Sequence, residues 1–286
     1  MAVMACAVML LPLMDAIAKY LASRGMAPGQ ITFYRFFFQF LETVPVVVLA
    51  RGLAALRPKR LWLNLLRGTL IAGASLCFFT AVKFMPLADS IAIFFAEPFI
   101  LTMLCALVLR EPVSWRGWLA IVLGFAGAIV VIDPSFSKFG AVALLPLVTA
   151  TLFATYMMMN RALGTVDRPL IMQYVAGVGG SVFLGAVLVC GGTAGGVVDL
   201  QPSLPGSVPD WALVLVLGAI AGYGHLLVVW AFQRTPASIL APFQYLEIVS
   251  ATLAGYLVFA DYPGPMKALG ILIIVAAGLY IFWYER

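Results

Sequence analysis

The chain has 286 residues, 64% of them hydrophobic and only 10% charged, with a formal net charge of +5. A soluble domain is nearer half apolar and about a quarter charged, and a disordered chain is more polar still, so both classes are excluded. What remains is an all-α integral membrane protein. An outer-membrane barrel is disfavoured because the apolar runs, such as Ile100 to Leu109 and Ile271 to Phe282, are continuous and lack the in-out alternation of barrel strands.

A helix needs about 20 residues to cross the ~30 Å hydrocarbon core. Breakers divide the chain into ten such segments: 2–22, 29–50, 61–84, 86–109, 115–133, 140–163, 169–192, 211–234, 236–259 and 264–283. Gly and Pro mark the joints at Pro28-Gly29, Pro58, Pro86, Asp133-Pro134, Pro169, Pro236 and Pro263-Gly264-Pro265. The first segment lacks a basic leader region and carries Asp15 and Lys19, so it reads as a permanent span and not a signal peptide.

The basic residues orient the spans. One side collects Arg51, Arg57, Lys59, Arg60, Arg110, Arg116, Arg161, Arg168, Arg234 and Arg286; the other has Arg24, Lys83, Lys138 and Lys267. That asymmetry predicts cytoplasmic termini. Scattered in this way, the basic residues form no face for nucleic acid. Cys6, Cys77, Cys105 and Cys190 lie in or at the ends of apolar runs with no C-x-x-C pair, and read as small core residues, with no metal site.

The two halves resemble each other at an offset of 150 residues. Pro86 matches Pro236, Glu97 matches Glu247 and Gly68 matches Gly218. The recurring Pro–x10–Glu spacing at the head of spans four and nine is the least accidental of these matches. Five spans per half is an odd number, so the second copy enters the membrane from the opposite side. Residues 1–137 and 138–286 are thus expected to form two inverted five-helix repeats, a device common in secondary transporters.

The stretch AVKFMPLADSIAIFFAEPFILTMLCALVLREPVSWRGWLAIVLGFAG, Ala81 to Gly127, resembles the fourth and fifth spans of the drug/metabolite transporter (DMT) superfamily, EamA type, at Ala81, Pro86, Pro98, Glu111 and the Gly-rich run Gly117 to Gly127. The second copy is looser, with Ile248 in place of the mid-span Pro and Asp261 in place of the Glu. Within that superfamily the whole chain looks most like the YddG-like amino-acid exporters. The resemblance implies a basket-like ten-helix fold with a central cavity, a bacterial inner (plasma) membrane location, and export of amino acids, aromatic and other neutral ones, from the cytoplasm.

Counting from the span start puts Glu97 about 16 Å deep, near the midplane, with Glu247 equivalent to it. Carboxylates at that depth are candidates for a substrate-amine or proton site. Pro98 removes a hydrogen bond and frees the carbonyl near Phe94; with Pro86 and Pro236 it marks a kink usable in gating. His225, the one histidine, has Ser75 as its repeat partner. Phe78, Phe79, Tyr156, Asn160, Tyr223, Gln244 and Tyr245 complete the expected substrate cavity, since such sites are mostly apolar with a few placed polar groups. Arg35 and Arg67 read as snorkelling or structurally paired, and Asp15 and Lys19 as an i, i+4 pair. Lys19 and Arg35 are also expected near the outer mouth, where a substrate carboxylate would arrive. Gly-rich spans five and ten read as scaffold, with weak homodimerisation the lesser possibility beside a monomer.

The function these readings favour is amino-acid export by alternating access, without enzymatic activity or cofactor; no G-x-x-x-x-G-K-[ST] motif is present for ATP. Rival readings are transport of another metabolite (a nucleoside derivative, polyamine or drug), a channel, and, from Gly73-x-Ser75 with Gly224-His225, a Ser–His intramembrane protease.

Overall fold

The computed structural model describes residues 2–52, 56–108, 110, 113–163, 166–193, 200–202, 204–234, 246–261 and 264–284. The first half contributes α1 (Ala2–Ser23), α2 (Pro28–Arg51), α3 (Leu61–Phe84), α4 (Leu87–Phe94), α5 (Glu97–Val108) and α6 (Trp115–Phe139). After a 3-10 turn at Gly140–Leu144 come α7 (Leu145–Leu163), α8 (Pro169–Thr193), α9 (Val208–Arg234), α10 (Leu246–Phe259) and α11 (Pro265–Tyr284). These helices occupy the ten apolar segments, and seven stretches of the described residues are long and apolar enough to cross a bilayer, α4 and α5 counting as one. The fold is all-α, as expected.

Local chemistry sets the ends. Ser114 caps α6 by accepting the Gly117 N–H at 3.1 Å, and Pro28 opens α2 where its missing N–H costs nothing. The joint expected at Asp133-Pro134 is not there, and α6 continues to Phe139. One lost hydrogen bond at Pro134 does not outweigh the remaining ladder in an apolar setting. The helix ends at Gly140, whose φ of 63° is open to glycine at little cost. That end lies beyond the expected junction at 137/138.

The fourth span is broken. Phe95 donates to the Ile91 carbonyl at 3.0 Å and Ala96 to the Ile93 carbonyl at 3.1 Å, a tight turn between α4 and α5. Pro98 supplies the reason, since its ring has no N–H and would collide with the Phe94 carbonyl in a continuous helix.

Helix pairing follows a pattern. α3 packs on α7 and α1 on α9; α2 packs on α9 and α3 on α8; α1 packs on α10 and α5 on α7. Each pairing has a mate five spans on. Two more contacts, α2 with α8 and α6 with α11, join equivalent spans to each other. The polar side chains lie inside a largely apolar interior, and the outer surface carries large apolar side chains, as lipid favours. Arg35, Gln39, Asn64 and Arg67 are buried, whereas Leu49, Val122, Val182, Leu257 and Leu272 are exposed.

Close packing of the halves depends on small residues. A methyl group at Gly68 of α3 would lie 2.9 Å from the Ala176 carbonyl oxygen of α8, and one at Gly218 of α9 would lie 2.5 Å from Cβ of Phe38 on α2. The two glycines matched by sequence offset therefore occupy equivalent interfaces.

Candidate functional site

A cavity lies between α1, α2, α3, the α4–α5 break, α7, α9 and α10. Helical periodicity selects its lining. Met4, Val8, Leu11 and Asp15 form one stripe of α1; Ile71, Ser75, Phe78 and Phe79 form one of α3; Thr149, Phe153, Tyr156 and Met157 form one of α7. His225, Val228 and Val229 come from α9, Arg35 from α2, and Glu247 from α10. The break itself brings Phe94, Phe95, Glu97 and Pro98 to the wall.

The aromatic groups form a connected wall. Phe94 stands edge-on to Phe78 and Phe153, with centroids 6.0 and 5.4 Å apart. Phe153 then meets Tyr156 at 5.5 Å and the His225 ring at 6.2 Å. Edge-to-face contacts of this kind fix ring orientation beyond simple burial.

Polar groups punctuate this wall. Arg35 is 1% exposed. One of its terminal nitrogens, Nη1, donates to Ser75 Oγ, and the guanidinium lies 4.6 Å from the Phe36 ring centroid. Its Nε has no hydrogen-bond partner among the described residues. Ser75 Oγ donates in turn to the Ile71 carbonyl at 2.7 Å. Glu97, 4% exposed, keeps Oε1 buried without a partner among the described residues. His225 Nδ1 lies 3.0 Å from the Ala221 carbonyl, which can only accept, so this nitrogen carries the proton.

The geometry does not support a serine protease. The Ser75 proton is committed to Ile71, and among the described residues no Ser75–His225 bond activates a nucleophile. Among the described residues, no group of three or more His, Cys, Asp or Glu side chains is placed to hold a metal ion.

The expected cavity residues divide. Glu97, Glu247, Ser75, Phe78, Phe79, Tyr156, His225 and Pro98 line the cavity. Asn160 does not, because its Oδ1 accepts from Arg67 Nη1 at 2.6 Å, beyond the end of the lining stripe. Tyr223 also lies off the wall and is 39% exposed. It precedes His225 by two residues, about 200° around the helix, so the two face opposite ways. Pro86 caps α4 outside the cavity, and Gln244, Tyr245 and Pro236 lie outside the described residues.

Two residues with other expected roles join the wall. Arg35 lines the cavity. Asp15 faces the same space, and its expected partner is taken: Lys19 bonds Asp261 and, at 3.2 Å, the Met85 carbonyl. A charged residue's depth is legible by counting along a span, but its facing is not. The helical stripe Met4–Val8–Leu11–Asp15 was the signal that could have found Asp15. Arg67 is structural, as expected: besides Asn160 it donates to the Met172 carbonyl, and its guanidinium lies 5.2 Å from the Tyr156 ring centroid. A second ion pair, Arg24–Asp210 at 3.1 Å, ties the α1–α2 turn to the start of α9.

Known proteins resemble the chain along its whole length. It is 26% identical over 280 residues to an S-adenosylmethionine uptake transporter of Rickettsia prowazekii (strain Madrid E), covering 95% of this chain and 88% of the relative. It is 25% identical over 275 residues to a riboflavin transporter of Vibrio cholerae serotype O1, covering 96% and 89%. It is 27% identical over 270 residues to a pseudopaline exporter of Pseudomonas aeruginosa (strain UCBPP-PA14), covering 92% and 89%. These names speak of S-adenosylmethionine, riboflavin and pseudopaline, not of amino acids, so the narrower resemblance to amino-acid exporters is not what they carry. A crystal structure 17% identical in sequence shares the fold, with a TM-score of 0.62 and 96% of each chain covered. The model of the EamA-like transporter family matches residues 1–133 and again 140–283, and the chain belongs to that family of membrane transporters.

Proposed function

We propose that the chain is a secondary transporter that carries a small metabolite with an amino-acid head and a flat or apolar body through the central cavity. Two inverted halves, meeting near residue 137, rock against each other and expose the cavity alternately. Both termini lie in the cytoplasm of a bacterial inner membrane, and the direction is export, as the family resemblance implies.

One observation carries this reading. A single cavity, walled by both halves, combines a connected aromatic surface with Arg35, Asp15, Glu97 and Glu247. Small-molecule sites are mostly apolar with a few convergent polar groups. Rings accept flat or cationic bodies, and the charged groups suit a head bearing both signs. Neutral aromatic amino acids meet this description. So does S-adenosylmethionine, named for the Rickettsia relatives, which joins an amino-acid head to a purine nucleoside.

Uptake into proteoliposomes of the purified protein tests the reading, with aromatic and aliphatic amino acids, S-adenosylmethionine, riboflavin and a polyamine, with and without a pH gradient. Saturable uptake of an amino acid or of S-adenosylmethionine supports it. Flux that never saturates indicates a channel, and uptake of the polyamine alone overturns the amino-acid head.

A further inference from the structure

Arg35 is a basic and Glu97 an acidic side chain; both line the same cavity and are almost fully buried. Among the described residues neither is in an ion pair within 4.0 Å, with the other or with any other side chain. A buried charge without a counter-charge is costly, and a pair that could meet normally does. Each also holds a polar atom in reserve: Nε of Arg35 and Oε1 of Glu97 have no hydrogen-bond partner among the described residues.

Asp15 is within electrostatic range of Arg35 but makes no ion pair with it. The break before Pro98 fixes Glu97 at the first turn of α5, while Arg35 of α2 is bonded to Ser75 of α3. Phe78, Phe94 and Phe153 are part of the wall around the same space.

We propose that Arg35 and Glu97 are the two poles of a zwitterion-recognition site, Arg35 taking the carboxylate and Glu97 the ammonium of one substrate molecule. This rests on the transporter reading above and adds which atoms read the head group. The guanidinium fork matches a carboxylate with two parallel donors, and exchanging the Ser75 bond for a substrate oxygen frees the donor it needs. A ligand missing either charge leaves one buried pole unmatched, which penalises it more than the lost bond alone.

The test is equilibrium binding to the purified protein of L-phenylalanine, phenethylamine, which lacks the carboxylate, and 3-phenylpropanoate, which lacks the amine. Wild type is expected to bind phenylalanine at least tenfold more tightly than either analogue. Arg35→Gln is expected to lose the preference over phenethylamine and keep that over 3-phenylpropanoate; Glu97→Gln is expected to do the reverse. Arg35→Lys, which keeps the charge, guards against loss of folding and should retain part of the first preference. Equal binding of all three ligands, binding of none, or variants that keep both preferences overturns the site. Saturable liposome uptake of another compound alongside any of those outcomes would leave the transporter reading standing and remove only this assignment.

Discussion

Glu97 and Glu247 stand 150 residues apart in the chain, yet each lies in the first turn of a helix, α5 and α10, and both face one cavity. A carboxylate in a first turn is favoured by the partial positive charge of the helix start. The helix starts therefore favour both acids where they face the cavity.

Replacing either with Gln keeps the shape and removes the charge. Glu97→Gln and Glu247→Gln are each expected to lower transport by about tenfold or more, a loss of roughly 1.4 kcal/mol of stabilisation, with unchanged elution on size exclusion. Normal transport by both variants at every pH tested would remove the carboxylates from the mechanism.

Gly68→Ala drives a methyl group into the backbone of α8, 2.9 Å from the Ala176 oxygen. Backbone cannot yield as a side chain can, so a loss of about 1–3 kcal/mol is expected from overpacking. Gly73→Ala on the same helix is the control, since its methyl would meet only Leu152 Cδ1 at 3.5 Å. Thermal unfolding in detergent should show a lowered midpoint for the first substitution and none for the second.

Arg67 illustrates a buried cation held by protein partners: Asn160, the Met172 carbonyl and the Tyr156 hydroxyl, the last at 3.4 Å. Arg67→Ala strands Asn160 and the Met172 carbonyl, and a loss of about 1–3 kcal/mol for each buried group left unpaired is expected, read as failure to accumulate in the membrane. Arg67→Lys should rescue little, because an ammonium cannot reproduce the fork that serves two partners at once. Full accumulation of the Lys variant would contradict this account.

The Lys19–Asp261 pair joins α1 to the segment after α10 and is only partly exposed. Asp261→Asn is expected to cost about 1 kcal/mol, near the upper end for pairs that water can reach. Exchanging the charges, Lys19→Asp with Asp261→Lys, should recover most of the loss in thermal unfolding. No recovery would mean that the Met85 carbonyl and the Phe259 ring, 4.6 Å from Nζ, matter more than the charge.

Hydropathy made the ten segments legible because lipid imposes length and apolarity on every span. Pro98 made a kink in the fourth span legible as well. Depth counting set Glu97 mid-span without revealing that it begins a helix, since a proline announces lost hydrogen bonds but not a complete break. Asp15 and Lys19 show a different limit. The i, i+4 rule is local, and the partner Lys19 takes is 242 residues away. Tyr223 fails for want of facing, because a span hydrophobic all round gives no moment from which to tell lining from lipid surface. Arg35, read as snorkelling or structurally paired, was illegible as a cavity residue for the same reason.

The mated helix contacts also bear on where the protein rests. On the proposed rocking motion, a tilt toward either face of the membrane would exchange each of these mated contacts for a near copy, so that these interfaces by themselves favour neither end conformation. A change to one copy alone, at Gly218 without Gly68, then acts as a weight on one arm of a balance. Paired substitutions at both glycines should slow the cycle without choosing a side, and single ones should choose a side.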